Sequence, residues 1–257
     1  MKKYEREKII MDALYIKKRL ELEDAINLLK VSESTVRRIL NNLEEAGKVV
    51  RTHGGVTLIN NSSLDYSFDL LMETRSDEKF RIGEYASFEI ADGDTIYLDC
   101  GTTVLSLCIK LSHLLKEGKL KNVLFFTNSL ANLEVLSPYA QVNLIGGHYR
   151  PNRKDFAGYI TELTLGKLYF KKCFCGVDGI NVPSSFNATD FDTAKLNQIV
   201  TARSEKVYVL CDSSKFGKYS LISYAAAGDI DVIITDSEAD EQITGIFETS
   251  GVQVVRV

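Results

Sequence analysis

Residues 23–47 read Glu23-Asp24-Ala25-Ile26-Asn27-Leu28-Leu29-Lys30-Val31-Ser32-Glu33-Ser34-Thr35-Val36-Arg37-Arg38-Ile39-Leu40-Asn41-Asn42-Leu43-Glu44-Glu45-Ala46-Gly47. The first eight residues place Ala25, Leu28 and Leu29 on one side of a short helix. Val31 turns the chain, and Ser32 stands where a helix N-cap belongs. A second helix is predicted from Glu33 to Ala46, with Gly47 as its stop. Val36, Ile39, Leu40 and Leu43 make its inward stripe. Two helices joined by so short a turn form the helix-turn-helix unit, whose second helix enters the major groove N-terminus first.

The polar chemistry agrees with that placement. Ser32, Ser34, Thr35, Arg37, Arg38 and Asn41 crowd the N-terminal half of the second helix, where hydroxyls, amides and guanidinium groups meet phosphates or base edges. Upstream, Ile9, Ile10, Ala13 and Leu14 repeat at helical spacing. Downstream, Lys48-Val49-Val50-Arg51, then His53-Gly54-Gly55, then Val56-Thr57-Leu58-Ile59 reads as a β-hairpin with a glycine turn. Such a hairpin is a wing, and Arg51 and His53 are its candidate phosphate contacts. A solvated pair of helices with a polar face is the plainer alternative; the combination of helices, basic side chains and wing favours double-stranded DNA.

Charge is distributed to match. The 257-residue chain carries a net −4. Residues 1–60 hold 12 Lys and Arg against 9 Asp and Glu, a net of +3. The remainder, with 19 against 26, carries −7. A mildly basic head on an acidic body suits a DNA-binding module fused to a sensor.

Beyond the hairpin, residues 60–80 are polar and weakly periodic, which marks a linker and helical lead-in between a domain at 1–59 and another at 81–257. Within the latter, β-rich runs alternate with helical stretches: Thr95–Asp99, Val123–Thr127, Gln141–Ile145, Tyr169–Gly176, Val207–Asp212, Asp231–Thr235 and Val252–Val255. That alternation predicts an α/β fold with a mostly parallel, Rossmann-like sheet covered on both faces. The five cysteines form no CxxC pair, and Cys173 and Cys175 fall in an apolar run, so buried reduced thiols are expected rather than a disulfide framework or a metal site. No cofactor is expected. Neither a signal peptide nor a membrane-spanning run is seen, so a soluble cytoplasmic protein is the expectation.

The run Asp92-Gly93-Asp94-Thr95-Ile96-Tyr97-Leu98-Asp99-Cys100-Gly101-Thr102-Thr103 is a strand that breaks at Gly101 and opens a helix. Free N–H groups at a helix N-terminus, the positive end of its dipole and two hydroxyls make a cradle for an anion such as phosphate.

Two sets of motifs together resemble the DeoR family of regulators. The head matches at Arg6, Ile9-Ile10, Val31 to Arg38, Leu40, Leu43, Glu44, Gly47, Arg51 and His53-Gly54-Gly55. The body matches at Asp99 to Thr103, Thr127-Asn128-Ser129, Gly146-Gly147 with Arg150, Gly176-Val177-Asp178-Gly179-Ile180, and Asp212-Ser213-Ser214-Lys215-Phe216-Gly217. The resemblance implies a winged helix-turn-helix that binds an operator and a sensor domain similar to ribose-5-phosphate isomerase. It further implies a homo-oligomer and a phosphorylated sugar as effector, held by Gly101, Thr102, Thr103 and Lys215. Asp99, Asn128 and Asp178 are then candidates for the sugar hydroxyls. Each has a structural alternative: Asp99 capping a turn, Asn128 capping a helix, Asp178 steadying a loop.

An isomerase of that fold needs a carboxylate base and a cation for the enediolate. Where such enzymes carry Asp-Gly-Ala-Asp-Glu and then Lys-Gly-Gly, this chain has Cys175-Gly176-Val177-Asp178-Gly179 and then Pro183 to Asp190, with neither lysine nor glycine. No enzymatic activity is expected. The chain also departs from many of the regulators, having Thr193-Ala194 and Asn197-Gln198 where they carry Glu-Ala and Lys-Arg. A sensor of different specificity, or a vestigial one, is the alternative reading.

Overall fold

The computed structural model describes residues 3–17, 19–45, 49–52, 54–58, 66–181 and 185–257. The chain divides into two compact units, Met1–Tyr66 and Ser67–Val257.

In the first unit, apolar side chains at helical spacing build a core around a small sheet. Its elements are α1 (Lys3–Lys17), β1 (Arg19–Glu21), α2 (Leu22–Leu29), α3 (Glu33–Glu45), β2 (Val49–Thr52) and β3 (Gly55–Leu58). Ile10 and Leu14 of α1, Ala25 and Leu29 of α2, and Val36, Ile39, Leu40 and Leu43 of α3 are buried together with Leu20, Val49 and Val56. Glu23 and Asp24 in the first turn of α2 favour its start through the helix dipole. Lys30 ends it in the left-handed conformation, φ 51°, which reverses the chain into Val31-Ser32. The sheet is antiparallel in the order β1-β3-β2, so the predicted hairpin carries a third strand that the sequence pattern did not reveal.

The second unit opens with α4 (Phe68–Glu73) and α5 (Ser76–Ser87), followed by β4 (Thr95–Leu98), α6 (Thr102–Lys116), β5 (Leu124–Thr127), α7 (Leu130–Leu136) and β6 (Val142–Leu144). Next come β7 (His148–Arg150), β8 (Asp155–Ala157), α8 (Tyr159–Leu165), β9 (Phe170–Cys175), β10 (Gly179–Asn181), β11 (Ser185–Ala188) and α9 (Phe191–Ala202). The chain finishes with β12 (Ser204–Leu210), β13 (Ile222–Ala226), β14 (Val232–Thr235), α10 (Glu241–Thr249) and β15 (Gln253–Arg256).

Seven strands form one parallel sheet in the order β15-β14-β12-β9-β4-β5-β6, and each overlaps one of the seven runs expected from sequence, although β12 begins three residues before its run, at Ser204. Strand alternation divides the core between the two faces. Tyr97, Cys173, Cys175, Val207 and Val209 join α9 and α10 side chains in one cluster. Phe174 and Tyr208 stack on the other face, their centroids 4.6 Å apart. All five cysteines are buried and free.

Topology also fixes where a ligand site belongs. The chain winds outward from β4 to β5 and β6, then returns to β9 on the far side of β4 and winds the other way through β12, β14 and β15. With right-handed crossovers, the helices of the two halves lie on opposite faces and part between β4 and β9. The crevice at the carboxyl ends of those two strands is the switch point at which open α/β sheets take ligands. A second antiparallel sheet, β10-β11-β13, and the β7-β8 hairpin border that end of the molecule. Neither was foreseen from sequence. Among the described residues, no helix is long and apolar enough to cross a membrane.

Candidate DNA-reading helix and effector site

On α3, Ser32, Ser34, Arg37, Arg38 and Asn41 are exposed and Thr35 is half-buried, while the next residue inward, Val36, is fully buried. The Ser32 carbonyl accepts from the N–H groups of Thr35 and Val36, which opens the helix. The Ser32 hydroxyl lies 2.9 Å from Thr35 Oγ1 and 3.2 Å from Ser34 Oγ, a row of hydroxyls along the first turn. Arg37 is committed to Glu33 one turn earlier, its Nε donating over 2.7 Å. Arg38 forms no ion pair among the described residues.

The two wing glycines have separate reasons. Gly54 adopts φ 89°, which side chains rarely reach. At Gly55 a Cβ would sit 2.2 Å from the Leu20 carbonyl oxygen, because β1 crosses there. Arg51 lies on β2, but its side chain, like the whole of His53, is outside the described residues.

In the sensor, Gly101 begins α6 with extended backbone and no side-chain cap, leaving the first-turn N–H groups without a side-chain acceptor. Thr102 and Thr103 sit at this end, each 7% exposed. Gly101 faces Gly176 across the switch point: a Cβ on either would come within 3.5 Å of the other's Cα. The Gly176 N–H donates to Asp99 Oδ2 at 2.9 Å, so Asp99 lies beneath both glycines and fixes the floor of the crevice. Burial pushes the Asp99 carboxyl above its usual range, against the hydrogen bonds from Gly176 and Cys100.

Asn128 accepts from the Tyr97 hydroxyl (2.8 Å) and donates to the Phe156 carbonyl (2.9 Å). The cap of α7 is Ser129 instead, whose hydroxyl accepts from Asn132 N–H. Asp178 accepts from both the N–H and the hydroxyl of Thr189, at 2.9 and 3.0 Å, and thereby steadies the strand that follows β10. Lys215 ends a half-buried 3₁₀ turn, Ser213–Lys215, beyond β12. β12 is two strands from β4, so about 10 Å separates its end from Gly101. Asp212 caps this turn through Ser214 N–H. Burial opposes its ionisation, but the Ser214 bonds and the charges of Lys215 and Lys79 hold the carboxyl below the usual range.

Around these residues lies a buried charge network that single-residue reading missed apart from Arg150. Arg150 grips Asp155 with two hydrogen bonds, 2.8 and 2.6 Å, and reaches Asp190 at 2.7 Å and Thr193 Oγ1 at 3.0 Å. Arg153 pairs with the other Asp190 oxygen at 2.8 Å and donates to Thr189. Asn132 donates to the Asp99 carbonyl and to Thr127 Oγ1, while its own Oδ1 is buried without a partner among the described residues. The Asn197 Oδ1 is likewise unpartnered. The visible signal for the network was the spacing of Asp and Arg after Gly146-Gly147. At Gly147 itself a Cβ would strike Thr161 Oγ1 at 2.1 Å.

The DeoR-like helix-turn-helix domain matches residues 6–62, and the DeoR C terminal sensor domain matches residues 74–237. The chain belongs to the DeoR family. Among similar DeoR-type regulators, the HTH-type transcriptional regulator FruR of Bacillus subtilis is 32% identical, covering 91% of each chain. The lactose phosphotransferase system repressor of Streptococcus mutans is 31% identical over 95% of this chain and 96% of its own. The repressor GlcR of B. subtilis is 31% identical over 98% and 96%. A ribose-5-phosphate isomerase from Methanocaldococcus jannaschii overlays 56% of this chain and 55% of its own, with 19% identity and a TM-score of 0.42. This DeoR-family chain is a DNA-binding transcriptional regulator, as the motifs of its head led one to expect.

Proposed function

We propose that the protein represses genes of sugar metabolism and that a phosphorylated sugar, bound at the switch point, modulates its grip on operator DNA. The observation that carries the effector reading is the uncapped N-terminus of α6, with Thr102 and Thr103 beside it, opposite the Gly101–Gly176 approach. A dianion there meets N–H donors, two hydroxyls and the dipole's positive end. Lys215 supplies a point charge from two strands away. The buried Asn132 Oδ1 next to the Asp99 carbonyl is an acceptor suited to a ligand hydroxyl. Asp99, Asn128 and Asp178 act in this reading by holding the crevice walls. Relatives named as repressors of a lactose phosphotransferase system support the sugar assignment.

DNA reading falls to Ser32, Ser34, Thr35, Arg37, Arg38 and Asn41 on α3, with Arg51 and His53 on the wing. One small head buries too little surface for high specificity, so paired heads on repeated half-sites, and hence a homo-oligomer, follow. The outer face of α8, where Tyr159, Ile160 and Leu163 are exposed, suits such an association. A sensor of altered specificity is favoured by one feature: the buried Asn197 Oδ1 has no hydrogen-bond partner among the described residues.

Fluorescence anisotropy on the DNA upstream of the protein's own gene, with random DNA as competitor and a panel of sugar phosphates, tests both halves. Specific binding that one sugar phosphate changes is the expected result. Specific binding indifferent to the whole panel overturns the effector reading and leaves the DNA reading intact.

A further inference from the structure

The segment that enters the sensor from the DNA-reading unit is tied to two separate rims of the strand-end crevice. At one end, Phe68 N–H donates to the Asn152 carbonyl (3.1 Å), and Lys154 pairs with Asp69 at 2.6 Å while lying over the Phe68 ring. Asn152 and Lys154 flank Arg153, which is part of the Asp190–Thr189 network. At the other end, Arg75 donates to Ser213 Oγ at 2.6 Å, in the turn that bears Lys215, and to Glu238. Its guanidinium also lies 3.6 Å from Asp212 and 3.9 Å from Asp236. Asp236 in turn accepts from Ser213 N–H at 2.6 Å.

Two further observations show that this connection is built rather than incidental. Arg75 holds φ 53°, a region that side chains other than glycine avoid unless the surroundings enforce it. Between the two ends, the buried Lys79 donates to the carbonyls of Leu71 and Thr74 and so closes the end of α4 from below. Lys79 itself belongs to α5, which is seated hard on α6. At Gly83 a Cβ would meet the backbone of Ser106 and Leu107 at 2.6 Å. α6 is the helix whose first turn carries Thr102 and Thr103.

We propose that Arg75 is a positioning residue for Lys215, and that α4 with Arg75 forms a strap through which occupancy of the crevice is passed to the DNA-reading unit. Removing the guanidinium frees Ser213 from its side-chain donor and leaves Asp212 and Asp236 facing each other without that cation. The Lys215 turn and α4 then loosen together. A phosphate drawn to Lys215 fixes the turn, and through Ser213 and Arg75 it fixes the strap. The coupling half rests on the effector reading above; the mechanical link between strap and turn does not.

The test compares full-length wild type, Arg75→Ala and Arg75→Lys by hydrogen–deuterium exchange of the segments 67–75 and 211–217. Samples are run free, with inorganic phosphate, and with glucose 6-phosphate or fructose 1-phosphate. In ligand-free Arg75→Ala, both segments are expected to exchange about tenfold faster, while the β4 segment 95–100 keeps its wild-type protection. Arg75→Lys should recover part of that protection, and it carries the comparison should the alanine variant lose the β4 protection too. The ratio of operator Kd with and without the effective sugar phosphate should shrink toward one in Arg75→Ala. A general loss of stability would instead weaken both measurements alike. Wild-type exchange in either segment of Arg75→Ala, or acceleration of only one, overturns the proposal. Should no compound alter operator binding by wild type, the effector reading fails, and the exchange comparison alone decides whether the strap exists.

Discussion

Arg37 and Arg38 are neighbours in sequence and chemically identical, yet on the proposed DNA-reading face they start from different states. Arg37 is paired with Glu33, whereas Arg38 projects from α3 without an ion-pair partner among the described residues. An exposed i,i+4 pair contributes only about 0.3–0.5 kcal/mol, so DNA displaces Glu33 easily, but the carboxylate still repels phosphate. Arg38→Ala should lose about 1–3 kcal/mol at the operator, relaxing one base position if it reads an edge and flattening the salt slope if it grips phosphate. Glu33→Gln should tighten binding about two- to threefold, the equivalent of releasing that surface pair. Anisotropy titrations at two salt concentrations measure both effects. Unchanged binding in both Arg38→Ala and Arg37→Ala would remove α3 from the groove. That both arginines lie on an exposed helical face was legible in the row of Ser, Thr and Arg after Val31. Their inequality was legible too, in the Glu33 to Arg37 spacing, but it requires knowing that both side chains face solvent.

Among elements, the wing shows what sequence reveals and what it withholds. Gly54-Gly55 announced a turn, and the turn is there. The second glycine, however, answers to β1, three residues long and led by Arg19, which has no strand-like pattern of its own. Gly54→Ala should cost the head about 1 kcal/mol, chiefly from backbone conformation, since the new Cβ would otherwise crowd the end of the flexible Glu21 side chain at 3.0 Å. Gly55→Ala must displace the Leu20 carbonyl, and about 1–3 kcal/mol or more is expected for such overpacking. Thermal melts that rank the two variants in the opposite order would contradict the β1–β3 crossing. The same division runs through the sensor. The central parallel strands are buried on both faces and read as apolar runs, and with the half-exposed edge strands β6 and β15 a run was legible at all seven positions. The strands of the β7-β8 hairpin and of the β10-β11-β13 sheet are three to five residues long, too short for a readable pattern, and only their partners make them strands. Consequently the helix-N-terminus end of the crevice could be read from Gly101-Thr102-Thr103. Of the Arg150–Asp155–Asp190 network, which those short strands help assemble, Arg150 alone was read.

At the scale of the whole molecule, two cores of unequal size share one chain. Among the described residues, the apolar cluster of the head draws on Ile10 to Val56. The large sensor cluster begins at Tyr97. Because each unit has a core of its own, a single unfolding free energy does not describe the chain, and two calorimetric transitions are expected. An effector that binds only the folded sensor stabilises that unit by RT ln(1 + [L]/Kd), about 2.7 kcal/mol at a hundredfold excess over Kd. For a unit of this size that amounts to a rise of roughly 5–10 °C in the larger transition. The smaller transition, belonging to the head, should stay where it was, and operator DNA should move it instead. A sugar phosphate that raised the head transition by as much as the sensor's would show that the two units melt as one. The Arg75 strap would then be part of a continuous structure rather than the link between two.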